Sequence, residues 1–182
     1  MIRTIGMIEL NSIARGIEVA DEMLKSAEVN LLLAKTVCPG KYVILVTGNV
    51  GAVQAAIKHG ELVGAEYVVN KLLLPNVHSQ VIPAINAASN VERLRDLGVL
   101  EFFSIASAII AADAAAKSAD VELIEVRLGV GIGGKAFITL TGDVSAVKNA
   151  VTVGANTAIE SGMLVNKAVI SAPNKELLQY LL

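Results

Sequence analysis

Gly6-Met7-Ile8-Glu9-Leu10-Asn11-Ser12-Ile13-Ala14 returns in the second half of the chain as Gly98-Val99-Leu100-Glu101-Phe102-Phe103-Ser104-Ile105-Ala106. Over residues 6–31 and 98–123, 13 of 26 positions are identical, among them Ala20-Asp21 with Ala112-Asp113 and Lys25-Ser26-Ala27 with Lys117-Ser118-Ala119. The register then survives a loop two residues longer in the second copy. Gly40-Lys41, Thr47-Gly48, Ala52-Val53 and Gly60 are answered by Gly134-Lys135, Thr141-Gly142, Ala146-Val147 and Gly154, and a further insertion brings Asn70-Lys71 to Asn166-Lys167. Two copies form a tandem of domains, because an open solenoid needs three or more repeats to bury its core. The expected division is 1–90 and 91–182, with 90–95 as linker.

Each copy has the same punctuation. Residues 4–10 read as a strand, after which Ser12 or Asn11 caps a helix. Its apolar residues Ile13, Ile17, Ala20, Leu24 and Ala27 follow four-three-four-three spacing and are expected to face the core. Residues 29–35 and 41–47 are β-rich runs joined through Val37-Cys38-Pro39-Gly40, which predicts a hairpin. Gly48-Asn49 caps a second helix, with Val50, Val53, Ala56, Ile57, Gly60 and Gly64 on its inner side. A strand over 67–74 and a short helix over 79–88 complete the copy. The second copy predicts strands near 97–103, 121–128, 135–141 and 163–170, helices near 104–119 and 144–161, and a tail from 174. The order β-α-β-β-α-β plus a tail helix places the chain in the α/β (α+β) class, as two ferredoxin-like domains with antiparallel four-stranded sheets.

Composition narrows the function. The 182 residues are 54% hydrophobic but only 3% aromatic, so apolar area comes from many small side chains. That is more than two small cores absorb and points to burial between subunits, although an unusually Ala-rich helical core explains part of it equally well. A net charge of -2, with no basic run, leaves no electrostatic footprint for nucleic acid. The longest apolar stretch, 102–116, is interrupted by Ser104, Ser107 and Asp113, so no membrane span is expected. The N-terminus enters a strand pattern at once and lacks the features of a secretory signal, and one cysteine suits a reducing compartment, so the cytosol is expected.

Two loops attract chemical readings. Cys38-Pro39-Gly40-Lys41 suits a type II turn, with proline setting φ at the second position and glycine accepting positive φ at the third. The thiol is then displayed at a hairpin tip, although a lone cysteine is more often a small core hydrophobe. Gly129-Val130-Gly131-Ile132-Gly133-Gly134 contains G-x-G-x-x-G, but a dinucleotide site requires a helix directly afterwards, and residues 135–139 read as strand. His59 and His78 lack partners at metal-ligand spacing. Asp21 and Asp113 occupy equivalent helices of different domains and are assigned structural roles. No nucleophile and base stand in a catalytic pattern, so no catalytic residue is named and an enzyme is not expected.

The Gly-Met-Ile-Glu start, the Ala-Asp-x-x-x-Lys-Ser-Ala helix end, the Gly-Lys loop and Thr-Gly-Asn/Asp-Val-x-Ala-Val together resemble the bacterial microcompartment shell domain, in both halves. The pairing of two such domains is similar to the tandem class, and most of all to its propanediol-utilisation branch. The resemblance implies a homotrimer that imitates a six-sided tile and associates with other shell proteins, with encapsulated redox enzymes as possible further partners. Three copies of a two-domain chain do place six similar wedges about one axis. It further implies that Val37, Cys38, Pro39 and Gly40, with Gly131, Ile132 and Gly133, line a central pore, and that Lys25 and Lys117 lie at tile edges. In that branch the loop cysteines of three subunits hold a [4Fe-4S] cluster, so Cys38 is the implied metal ligand. Three converging thiolates repel unless a cation or cluster compensates them. Zinc is the chemical competitor, with water in its fourth position. The implied role is electron transfer across the shell or cluster handling. Two alternatives stay open: a metabolite pore with Cys38 free and no cofactor, and a trimeric nucleotide-binding regulator. The chain also departs from single-domain relatives, which carry Pro-Arg-Pro-His near the edge where it has Pro75-Asn76-Val77-His78 and Ala172-Pro173-Asn174.

Overall fold

The computed structural model describes residues 4–91 and 93–180. Met1, Ile2 and Arg3 ahead of the expected first strand, Glu92 of the expected linker, and Leu181 and Leu182 of the tail lie outside the described residues. The chain divides into two compact units, one ending at Val77 and the other beginning at His78. The short helix after the first domain therefore belongs to the second unit.

The first unit runs β1 (Thr4–Leu10), α1 (Ile13–Ser26), β2 (Asn30–Val37), β3 (Lys41–Gly48), α2 (Val50–Gly64) and β4 (Val68–Pro75), with a 3-10 turn at Ala65–Tyr67 before the last strand. The second unit opens with α3 (Val81–Ile85) and repeats the series as β5 (Asp96–Phe102), α4 (Ile105–Ser118), β6 (Val121–Leu128), β7 (Ala136–Gly142), α5 (Val144–Ile159), β8 (Leu164–Ile170) and α6 (Lys175–Leu178). The sheet orders are β2-β3-β1-β4 and β6-β7-β5-β8, and every pairing is antiparallel. Even the irregularities repeat. The register shifts between Glu9 and Leu10 and between Leu31 and Leu33, and at the matching Glu101/Phe102 and Leu123/Glu125.

Local chemistry explains the helix starts. Ser12 and Ser104 accept hydrogen bonds at 3.3 Å from the N–H of Arg15 and Ser107, and Asn49 accepts one at 2.8 Å from Ala52, so each occupies an otherwise orphan donor of its helix. Small residues then let helices lie against the sheet. A Cβ on Gly6 would sit 2.6 Å from Val53 Cγ1, and one on Gly98 would sit 2.7 Å from Val151 Cγ2, too close for either helix to keep its place.

The first core gathers Ile8, Leu10, Val19, Ala20, Met23, Ile44, Val46, Val53, Ala56 and Ile57. One expectation fails here. α1 buries Gly16, Val19, Ala20 and Met23, while Ile13, Ile17 and Leu24 are left exposed. The helix carries two overlapping apolar stripes, and the one containing Gly16 wins, because only a bare Cα fits where an added Cβ would come 2.5 Å from Tyr42 Cβ. α2 follows the expected face except at Val50 in its first turn, which is exposed.

Candidate metal centre and pore loops

Pairing of Val37 with Lys41 leaves Cys38, Pro39 and Gly40 as the connection between β2 and β3. Gly40 takes φ +77°, the sign its position in the turn required, and nothing stands within 4 Å of where its Cβ would be. The Cys38–Pro39 peptide bond is cis, so a three-residue tip replaces the type II turn with a trans bond that the dipeptide alone suggests. Val37 is buried at the base of the tip, Cys38 is partly exposed, and Pro39 and Gly40 face solvent.

Beneath the tip lies a pair that sequence reading did not assemble. Glu9, only 3% exposed, accepts a hydrogen bond at 2.9 Å from Lys41 Nζ, which fixes the first residue of β3 to the central strand. Lys135 Nζ donates to Glu101 at 2.7 Å in the second unit. The available signal was that all four residues are identical between the copies, in Gly-x-x-Glu and Gly-Lys.

The second tip joins Leu128 to Ala136 and is built on glycines. Gly129, Gly131, Gly133 and Gly134 all have positive φ, between +64° and +80°, a region open to glycine and strained for other residues. Gly131 and Gly133 are exposed and Ile132 is partly buried. A strand, β7, follows directly, so no helix N-terminus meets the turn and the dinucleotide reading falls.

Lys25 and Lys117 sit in the last turns of α1 and α4 and pair with Asp21 and Asp113 one turn earlier, Lys117 at 2.6 Å. The Asp21 hydrogen bond holds the Lys25 ammonium above the usual lysine range. Strand register puts Lys25 far from the thiol. α1 leads into Asn30, paired with Thr47, whereas Cys38 lies beyond the opposite end of the same hairpin. His59 lies 3.4 Å from Glu22, and the His78 ring accepts from the N–H of Gln80. Among the described residues no group of three His, Cys, Asp or Glu side chains can hold a metal. Cys38 thus belongs to no such group among the described residues. No helix among them is long and apolar enough to cross a membrane.

Residues 4–77 and 96–173 each match the BMC domain family. The bacterial microcompartment shell protein PduT of Citrobacter freundii is 46% identical over 177 residues, covering 97% of this chain and 96% of its own. A crystal structure of a microcompartment protein from Desulfitobacterium hafniense superposes with TM-score 0.93 at 52% identity, covering 98% of this chain and 99% of its own. A fused, permuted hexameric shell protein of the RMM microcompartment shares the fold, with TM-score 0.62 and 24% identity over 86% of this chain and 81% of its own.

Proposed function

The chain belongs to the BMC domain family, as a tandem-domain structural tile of a bacterial microcompartment shell, and from that premise we propose that three copies close a ring whose central opening holds a [4Fe-4S] cluster on one Cys38 from each. The observation that carries this reading is the placement of the chain's one cysteine, partly exposed at a hairpin tip and, among the described residues, in no group of three metal-ligating side chains. A thiol so placed suits a shared site, because one donor per chain becomes three on a three-fold axis. Three thiolates leave one iron of a cubane for a solvent or small-molecule ligand. The chemistry such a group supplies is the uptake and return of single electrons. This chain's own part is to hold the sulfur. The Glu9–Lys41 pair anchors the strand that follows the tip, and Gly40 turns the backbone so that the Cys38 side chain stays accessible.

The tile is assigned no catalysis; its role is to close the shell and pass electrons, or a cluster in transit, through the opening. Its partners are other shell proteins and redox enzymes inside. Lys25 and Lys117 lie at the tile edge, their stems packed on neighbouring tiles. Anaerobic purification with iron and sulfide analysis and electron paramagnetic resonance tests the assignment. Cys38→Ser is expected to keep the ring and lose iron and visible absorbance. Iron content unchanged by the substitution overturns it, zinc without sulfide replaces the cluster by a three-cysteine zinc site, and a colourless metal-free ring leaves a plain pore.

A further inference from the structure

A buried ion pair stands at the base of the first tip. Lys41 closes the hairpin against Val37, and Cys38 is the next residue beyond that rung. Antiparallel partners are at most about 5.5 Å apart between Cα atoms and chain neighbours about 3.8 Å, so the backbone of Lys41 lies within about 9 Å of that of Cys38. Glu9 stands opposite Val43 and accepts from Lys41 Nζ at 2.9 Å. Alternation along the strands puts Val37, Lys41, Val43 and Glu9 on one face of the sheet. It is the face away from α1 and α2, because Ile8 and Ile44, which pair with each other between these positions, belong to the core of that unit. Val37 and Val43 are both buried, so the charges sit in low-dielectric surroundings.

The second unit keeps the pair and changes its setting. Lys135 and Glu101 are both substantially solvated. Glu101 stands opposite Phe137, which is partly exposed, and Arg127, opposite Phe137 on the edge strand, is exposed and donates to Glu125 at 2.6 Å. Water and a neighbouring ion pair therefore screen these charges, whereas nothing comparable screens Glu9. The tip that carries sulfur has the buried pair, and the tip made of glycines has the solvated one.

We propose that the Glu9–Lys41 pair sets the reduction potential of the cluster on Cys38. Cluster potentials follow the net charge and solvent exposure around the sulfurs. An added electron makes the cluster more negative, so a nearby ammonium favours the reduced form and a nearby carboxylate opposes it. Joined to each other, the two charges largely cancel, and the potential is held between the values that either would impose alone. Neither residue is a ligand; both act through the field they place at the sulfur. The proposal rests on the cluster reading above and names the charges that tune it.

Anaerobic redox titration of the intact protein, followed by electron paramagnetic resonance, tests this. Glu9→Gln keeps the shape and an acceptor for Lys41 while removing the negative charge, and is expected to raise the midpoint potential. Lys41→Met removes the positive charge and is expected to lower it. Three copies contribute at once, so a roughly twofold effect per charge multiplies to about tenfold in the reduced-to-oxidised ratio at a given potential, which is about 59 mV for one electron. The double variant is expected to return close to the unaltered value, and it decides the matter together with Glu9→Gln if Lys41→Met alone fails to fold. Glu101→Gln and Lys135→Met are expected to shift the potential by less than about half as much. Opposite signs separate the field of the charges from a loosened hairpin, which would move both variants the same way. Shifts of one sign, no shift with iron retained, or equal shifts from the second unit's pair overturn the tuning while the cluster stands. Unaltered protein that holds neither iron nor sulfide removes the cluster, and the tuning with it.

Discussion

Glu9 and Glu101 answer each other in sequence, but their surroundings differ, and the difference sets what their lysines are worth. The Glu9 side chain is 4% exposed and Glu101 35%. Losing the lysine leaves the first carboxylate buried without a counter-charge and the second largely solvated. Lys41→Met is expected to destabilise the protein by about 2 kcal/mol and Lys135→Met by less than about 1 kcal/mol, measured by urea unfolding. Equal losses would show that burial does not govern the pair. The four residues were legible as a repeat. Their pairing was not, because it joins positions 32 residues apart through a strand register that no local pattern declares.

Among elements, the strands and the longer helices were legible, since capping side chains, glycines and alternating apolar runs agree with one another there, whereas the short helix expected over 79–88 spans only Val81–Ile85. The inner face of α1 was not legible. Ile13, Ile17 and Leu24 satisfy helical periodicity as well as Val19, Ala20 and Met23 do, and periodicity cannot say which stripe meets the sheet of its own unit and which stays exposed. The end of β8 shows a tie of a different kind. The N–H of Ala172 and, next, the Ser171 hydroxyl donate to Asp96 at 2.8 and 3.0 Å, and these hydrogen bonds hold its carboxyl below the usual aspartate range. A lowered folded-state value stabilises the fold above the unfolded-state value, and the benefit disappears as pH falls through the folded one. Acidification is therefore expected to loosen the exit of β8 before the sheet unfolds, seen as a lower amide-exchange protection factor at Ala172. Asp96→Asn should lower that protection factor at neutral pH and flatten its pH dependence.

For the molecule as a whole, the tandem architecture followed from the repeat, and the family from motifs spread over both halves. The hairpin-tip position of Cys38 followed from its neighbours, whereas its cis peptide bond did not. Each unit builds its own apolar core, so neither is expected to depend on a metal for its fold, unlike small zinc domains that are unfolded without one. Removal of the proposed cluster's iron by a chelator under anaerobic conditions is accordingly expected to leave the far-ultraviolet circular dichroism unchanged and to bleach only the visible absorbance. Unfolding on chelation would mean that the metal is structural. Sulfur occupies one of the two hairpin tips, and the other is made of left-handed glycines. A ring of six identical single domains would force six like-charged donors into one channel. In the proposed ring of three, divergence between duplicated halves halves that crowding, and leaves every second position around the opening free to change shape without disturbing the ligands beside it.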